Sequence, residues 1–417
     1  MKKIVGFIFL CLCGSLSAQQ VQYSQIFDPF IKTLEVTIDG QDFSNPVLFL
    51  DGEDVLKINF DELSHNAKSY VYKIRHCNAD WTFSNISEFE YLDGINWMPI
   101  EDARRSINTT FDYTHYVFFL PNEQVRFKIS GNYLIEIFED NNSNKLCLQA
   151  RFSVVEPIAE INASVRSNTD IGARGKHQQV DFEVTTKSPI NDPFSEIKVC
   201  VMQNRRTDNQ VTNINPTNFS SNRLIFKNNR ALIFEAGNEY RSLDISNIRL
   251  LDDAVREIKF VRPYYHVDLF EDKSRNNAPY VFRNDVNGRF KINLHRNKHD
   301  VELETDYFFV HFAFSAESPF FDGSLHLAGG FNFQLLNAQS RMEYNNERQS
   351  YMQTLLLKQG GYNYQYLFLP KNATRATTER TEGNFWQTEN EYEIFVYHRP
   401  FGSRYDRLIA YKLLNSR

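Results

Sequence analysis

Short runs of alternating apolar and polar residues recur along the chain. Residues 31–38, 46–50 and 56–60 alternate, and in 69–76 (SYVYKIRH) Tyr70, Tyr72 and Ile74 share one face. This is the period-two pattern of half-buried strands. Further strands are expected at 113–120, 133–138 and 146–155. Ser130-Gly131-Asn132 supplies a turn, because Gly and Asn tolerate positive φ. A second set covers 179–185, 196–202, 223–227, 232–235, 242–248, 256–261, 265–270, 280–282 and 290–294, the last after a tight turn at Asp285-Val286-Asn287-Gly288. Residues 205–222 read as a long polar loop. In the third set, 305–315 (TDYFFVHFAFS) is apolar on both faces, as in a buried central strand. It continues with 324–328, 349–357, 362–369, 391–397 and 408–413, and 372–390 reads as a mobile polar insertion. The only short helix candidate is 101–106.

Strands broken by turn residues at this spacing predict an all-β protein of two to three consecutive antiparallel β-sandwich domains, Ig-like or early-set-like. The expected division is a signal peptide at 1–18, an N-terminal sandwich at 19–156, a second β-rich domain at 157–300 and a C-terminal sandwich at 301–417. Nothing resembles a flexible linker, so the domains are expected to pack on one another. A length of 417 residues suits two or three cores.

The first segment reads as an export signal. Lys2 and Lys3 precede the apolar run 4–12, and the small residues of 15–18 lead to expected cleavage after Ala18, with Leu16 an imperfect third-last residue. Cys11 and Cys13 each follow a Leu, whereas a lipid anchor needs a small residue there. No other segment is long and apolar enough to insert in a membrane. Net charge is -6 with both signs mixed, which argues against a nucleic-acid binder and a polybasic membrane grip. After cleavage Cys77, Cys147 and Cys200 remain. Three cannot all pair within one chain, and the preferred reading places each on a strand as a small apolar residue, although one disulfide stays open.

Candidate chemistry fails on physical requirements. His76 and Cys77 are adjacent and point to opposite faces of a strand, so they form no nucleophile pair. His295 and His299 have helical zinc spacing, but no helical pattern surrounds them and no general-base Glu accompanies them. Asp140, Asn142 and Asn144 mimic a calcium loop, yet Lys145 stands where Gly is needed and Arg151 where the bidentate Glu is needed. Glu302, Glu304 and Asp306 alternate onto one face, most simply a wet one; a glycosidase acid pair would need two carboxylates across a cleft. No nucleophile elbow, phosphate-cradling loop or dinucleotide fingerprint occurs. No catalytic, cofactor-binding or metal residue is assigned, and nothing points to a small-molecule ligand.

Several segments taken together resemble one family. They are His76-Cys77-Asn78-Ala79-Asp80-Trp81, Ser106-Ile107-Asn108-Thr109-Thr110, Tyr113-Thr114-His115-Tyr116, Leu120-Pro121-Asn122-Glu123 and Ser130-Gly131-Asn132-Tyr133. Arg151-Phe152-Ser153-Val154-Val155, Gln203-Asn204, Gly237-Asn238-Glu239, Leu357-Lys358-Gln359-Gly360-Gly361-Tyr362-Asn363-Tyr364 and Asp406-Arg407-Leu408-Ile409 follow. In this order they resemble the plug proteins of the type IX secretion system of the Bacteroidetes. The resemblance implies a non-enzymatic protein, peripheral at the periplasmic face of the outer membrane. It implies one partner, the translocon barrel, whose periplasmic mouth the plug closes when no cargo passes. It assigns no residue to barrel contact. A weaker likeness, in Leu327-Ala328-Gly329-Gly330-Phe331-Asn332 and Lys358-Gln359-Gly360-Gly361-Tyr362, is to early-set glycan-binding domains. Gln334 stands where their sugar-stacking Trp would be, so this reads as fold kinship. The alternative function is a secreted glycan-binding accessory, which would need exposed platforms from Trp81, Trp97 or Trp386. A further alternative, a secreted cargo with its own C-terminal signal domain, is disfavoured because 408–413 looks like an integral strand of the third domain.

Overall fold

The computed structural model describes residues 20–64, 67–140, 142, 145–167, 175–295 and 300–417. The expected signal segment, Asn144 and His299 lie outside the described residues. The fold is nearly all β, with several antiparallel sheets stacked as sandwiches.

The first sandwich is built from residues 25–155. One sheet runs in the order Gln25–Ile26, Leu146–Val155, Gly131–Glu139, Tyr70–Cys77 and Met98–Pro99, with Val47–Phe49 added parallel to Leu146–Val155. The facing sheet is Ile31–Ile38, Leu56–Glu62, Thr114–Leu120 and Asp102–Arg105. Alternate residues of both sheets enter one core, among them Ile58, Phe60, Tyr70, Ile74, Tyr133, Ile135 and Phe152. The helix expected at 101–106 is instead the edge strand Asp102–Arg105, whose DARR sequence lacks apolar alternation because it packs on one side only.

Gly131 shows why the turn before Gly131–Glu139 needs glycine. Its φ is +149°, and a Cβ there would sit 2.2 Å from His76 Nε2. The ring of His76 fills that space, edge-on to Tyr133 at 5.0 Å.

The other two sandwiches are not consecutive, which corrects the expected boundary at residue 300. Ile197–Gln203 pairs antiparallel with Glu391–His398, which pairs with Arg407–Asn415. That sheet faces another made of Ala159–Arg166, His177–Thr186, Arg223–Phe226, Asn218–Ser220 and Ile233–Glu235. Ile161, Phe182, Val199, Phe226, Tyr392, Ile394 and Ile409 therefore share one core. The expected last strand of the third domain belongs to this second sandwich. The loop read at 205–222 contributes two short strands, Val211–Thr212 and Asn218–Ser220.

The third sandwich is inserted between the two halves of the second. Arg241–Asp244, Gly360–Pro370, Phe290–Ile292 and Gly323–Ala328 form one layer. The other runs Val255–Val261, Tyr264–Leu269, Tyr307–Ser315, Ser350–Lys358 and Glu343–Asn345. Tyr307–Ser315 is central in its layer, but only one of its faces is fully buried; Phe309, His311 and Ala313 on the other are half-buried. Residues 280–282, expected as a strand, lie in irregular structure. The turn at Asn287 and Gly288 has φ of 51° and 82°, as its sequence predicts.

The stretch 372–390 is not a mobile insertion. It is an irregular strap joining the third sandwich back to the second, and Thr381 and Glu382 within it have 0% exposure. Arg241 and Arg275 both pair with Glu382, whose carboxylate also accepts the Tyr366 backbone N–H at 2.9 Å. Buried charge survives here because every partner is supplied.

Candidate functional site

The residues singled out in the sequence do not assemble into a catalytic centre. His76 is 2% exposed, with Nδ1 2.8 Å from Ser84 Oγ and Nε2 3.3 Å from the Ser130 carbonyl. Burial pushes its pKa down to about 4, so the ring is neutral. Cys77 lies on the opposite face, and burial pushes its thiol up to about 12. Cys77, Cys147 and Cys200 are all buried, free and strand-borne, matching the preferred reading. At the calcium-like loop, Asp28, Glu139 and Cys147 place ligand atoms together. Lys145 binds both carboxylates there, so an ammonium already takes the place a cation would hold.

Glu302, Glu304 and Asp306 are not a wet strand face. Asp300 caps the short helical turn Val301–Glu304 by accepting from Glu302 N, which breaks the alternation. Glu302 pairs with Lys57 and with Arg104, at 3.2 Å for the latter, and stands 3.2 Å from His115 Nε2. Asp306 accepts the backbone N–H of Thr110 at 2.5 Å. Two of the three carboxylates thus clamp the third sandwich to the first.

Behind that clamp lies Asp61, 1% exposed on the Leu56–Glu62 strand. Its carboxylate meets His115 Nδ1 at 2.6 Å, Lys358 Nζ at 2.5 Å and the Tyr307 hydroxyl at 2.6 Å. Lys358 also donates to the Glu302 carbonyl at 2.7 Å and sits 4.3 Å from the Tyr113 ring centroid. Burial alone would raise the Asp61 pKa, but the Lys358 charge and the His115 contact outweigh it and hold the carboxyl below its ordinary value. Burial likewise disfavours the imidazolium of His115, yet Asp61 and Glu302 outweigh it and raise its pKa. His115 with Tyr116, and Lys358 with Gln359, fall in segments that carried the family resemblance. Their spacing in sequence gave no sign that they meet.

The first and second sandwiches join through Asp406, 0% exposed. It accepts the Ala79 backbone N–H at 2.9 Å and the Lys198 ammonium at 3.0 Å. Around it Val47, Val155, Cys200, Phe395, Tyr397 and Leu408 form an apolar cluster, and the Tyr397 hydroxyl donates to Asn132 at 2.9 Å. All three sandwiches meet at Asn45, Arg289 and Glu391: Arg289 Nη2 donates to Asn45 Oδ1 at 2.9 Å and to Glu391.

The sugar-stacking position is closed. Gln334 is buried, accepting from Tyr240 Oη at 3.1 Å and donating to the Asn204 carbonyl at 2.6 Å. Trp81 lies against Arg151, whereas Trp97 on the first sandwich and Trp386 on the strap are exposed far from one another in the sequence. One exposed apolar feature crosses a seam. Phe89, in the helical turn Glu88–Tyr91, and the fully exposed Phe401, on a loop of the second sandwich, are brought together by the Arg404–Glu90 ion pair. Among the described residues no helix is long and apolar enough to cross a membrane.

Comparison with known proteins adds the following. The family model described as "Type 9 secretion system plug protein 1st domain" matches residues 31–156, the first sandwich. A crystal structure of a hypothetical protein from Parabacteroides merdae is similar at 41% identity, with a TM-score of 0.93, over 95% of this chain and 100% of that one. The collagen adhesin of S. aureus is 9% identical with a TM-score of 0.11, over 93% of this chain and 91% of that chain, and carries no structural argument. No curated protein matches the chain.

Proposed function

Since the chain belongs to the type 9 secretion system plug protein family, we propose that it closes the periplasmic mouth of the outer-membrane translocon barrel when no cargo is passing. It does so without catalysis, as a peripheral periplasmic body held by the barrel itself. The supporting observation is the way three sandwiches are fastened into one solid. The matched first sandwich is locked to the third through Asp61 and to the second through Asp406, both buried. A seal must resist deformation more than it must react, and close-packed cores joined by paired buried charges provide that. The interface with the barrel has to release, which suits a standard-sized, polar-rimmed contact rather than an obligate apolar one.

Deletion of the gene should raise entry of a large antibiotic that the intact outer membrane excludes. The rise should vanish when the barrel is deleted as well. Unchanged entry in the single deletion would count against the sealing role.

A further inference from the structure

A crevice opens where the three sandwiches meet, and its chemistry is unlike that of the seams around it. Its charged lining is Arg151, Arg205, Arg289 and Glu393. At the seams each cation meets its carboxylate directly; here Arg151 has none, and Arg205 has only Glu393 and Glu391 beyond ion-pair distance.

Arg151 projects from the outer face of the Leu146–Val155 strand. Its neighbours Ala150 and Phe152 point into the core of the first sandwich. The guanidinium lies 4.2 Å from the Trp81 ring centroid and 4.5 Å from that of Tyr23. Gln22 N donates to the Trp81 carbonyl at 3.2 Å, which ties those two segments together. Nε and Nη2 of Arg151 are buried and meet no protein acceptor. An unpaired buried guanidinium is costly, and aromatic faces compensate only in part.

Arg205 enters from the second sandwich. Asn204 and Arg205 have φ of 49° and 61°, consecutive left-handed residues that bulky side chains avoid. The strain is held by Asn204, which bonds Asn390 at 2.7 Å and the Glu391 backbone N–H at 2.8 Å. Among the described residues the Arg205 side chain makes no ion pair. Arg289, from the third sandwich, spends itself on Asn45 and Glu391. Glu393 Oε1 is bound by Asn45 and Tyr411, while its Oε2 is buried without a hydrogen-bond partner; burial raises its pKa, opposed by the Arg205 and Arg289 charges. Three guanidiniums against Glu391 and Glu393 leave one positive charge over. The remaining walls include Val47, Met202, Phe333, Leu335 and Phe395. The cavity is about 130 Å³, similar to one that admits a benzene-sized group.

We propose that this crevice binds a single carboxylate carried on a compact apolar group, with Arg151 and Arg205 holding the carboxylate and the apolar walls holding the body. Guanidinium forks match a carboxylate in two parallel hydrogen bonds, and few convergent polar groups in an apolar pocket are the usual form of a ligand site. The inference does not rest on the sealing role. Because each of the three sandwiches supplies a wall, the bound acid would favour the closed arrangement of the three.

The test is thermal unfolding of the full chain with phenylacetate, and with 2-phenylethanol as its uncharged counterpart. Phenylacetate near saturation should raise Tm by about 2–4 °C, and 2-phenylethanol should not. Arg151→Met should abolish the rise. If that variant fails to fold, Arg205→Gln, which sacrifices no protein ion pair, should weaken phenylacetate binding at least tenfold. A peptide ending in Phe, with its terminus free or amidated, separates two sources of the same chemistry. A rise with the free-ended peptide that amidation removes assigns the site to a chain terminus; a rise with phenylacetate alone assigns it to a free acid. No rise with either acid, an equal rise with inorganic phosphate at matched ionic strength, or an undiminished rise in both variants would overturn the proposal.

Discussion

The two seams of the first sandwich each centre on one fully buried aspartate, yet they are built differently. Asp61 faces the third sandwich and is satisfied wholly by side chains, namely those of Lys358, His115 and Tyr307. Asp406 reaches the first sandwich by accepting a backbone N–H, that of Ala79, and its cations Lys198 and Arg399 are about a third exposed. The Asp61 cluster is therefore shut from solvent, behind the part-exposed Lys57 and Arg104 pairs, and holds a titratable imidazole. The second seam is anchored on backbone and apolar packing, and its cations can turn to water. The contrast teaches that burial of both partners, more than the count of ion pairs, decides what a broken pair costs.

Loss of Lys358 should have the largest effect. Lys358→Met strands Asp61 without its ammonium and should cost about 3–5 kcal/mol in urea unfolding. Asp406→Ala should cost about 1–3 kcal/mol, since it orphans one backbone N–H while its cations re-solvate. Equal losses would erase the distinction between the seams.

The seams should also differ in pH dependence. The His115 pKa is raised above 6.5, so its contribution is complete below 6.5 and is lost as pH rises through the folded value. Asp61 and Glu302 are depressed below 3.8 and 4.5, so theirs is complete above those values and fails as pH falls. The Asp61 seam should thus be firmest between 4.5 and 6.5. Urea midpoints taken from pH 6 to pH 9 should fall in the native chain and fall less in His115→Gln. Smallest of all, Arg404→Ala removes a solvent-exposed pair across the second seam. Stability should change little or not at all, and a double-mutant cycle with Glu90→Ala measures the coupling.

Much of this architecture was legible because strands repeat with period two. Residues 31–38 and 146–155 were read with the bounds they have, and the turn at Asn287-Gly288 followed from its residue types. What the pattern does not encode is which strand pairs with which. Ile197–Gln203 reads the same whether its neighbour is close in sequence or is Glu391–His398, so the interleaving of the second and third sandwiches was invisible. Asp102–Arg105 escaped because an edge strand needs no apolar alternation. The strap at 372–390 looked mobile because Thr381 and Glu382 are polar, and only Arg241 and Arg275, distant in sequence, make their burial tolerable. The unpaired state of Arg151 and Arg205 is a matter of what surrounds them, which no spacing reveals.

The interleaving has a further consequence for biogenesis. On a chain emerging N-terminus first, the first sandwich is complete once residue 155 is available, and the third once residue 370 is. The second must wait, its sheet half-made and Ile197–Gln203 lacking a neighbour along one edge, until residues 391–415 arrive. An open, apolar strand edge of that kind invites pairing with other chains. The last strands act as a clasp, and the protein passes its most aggregation-prone moment just before it closes.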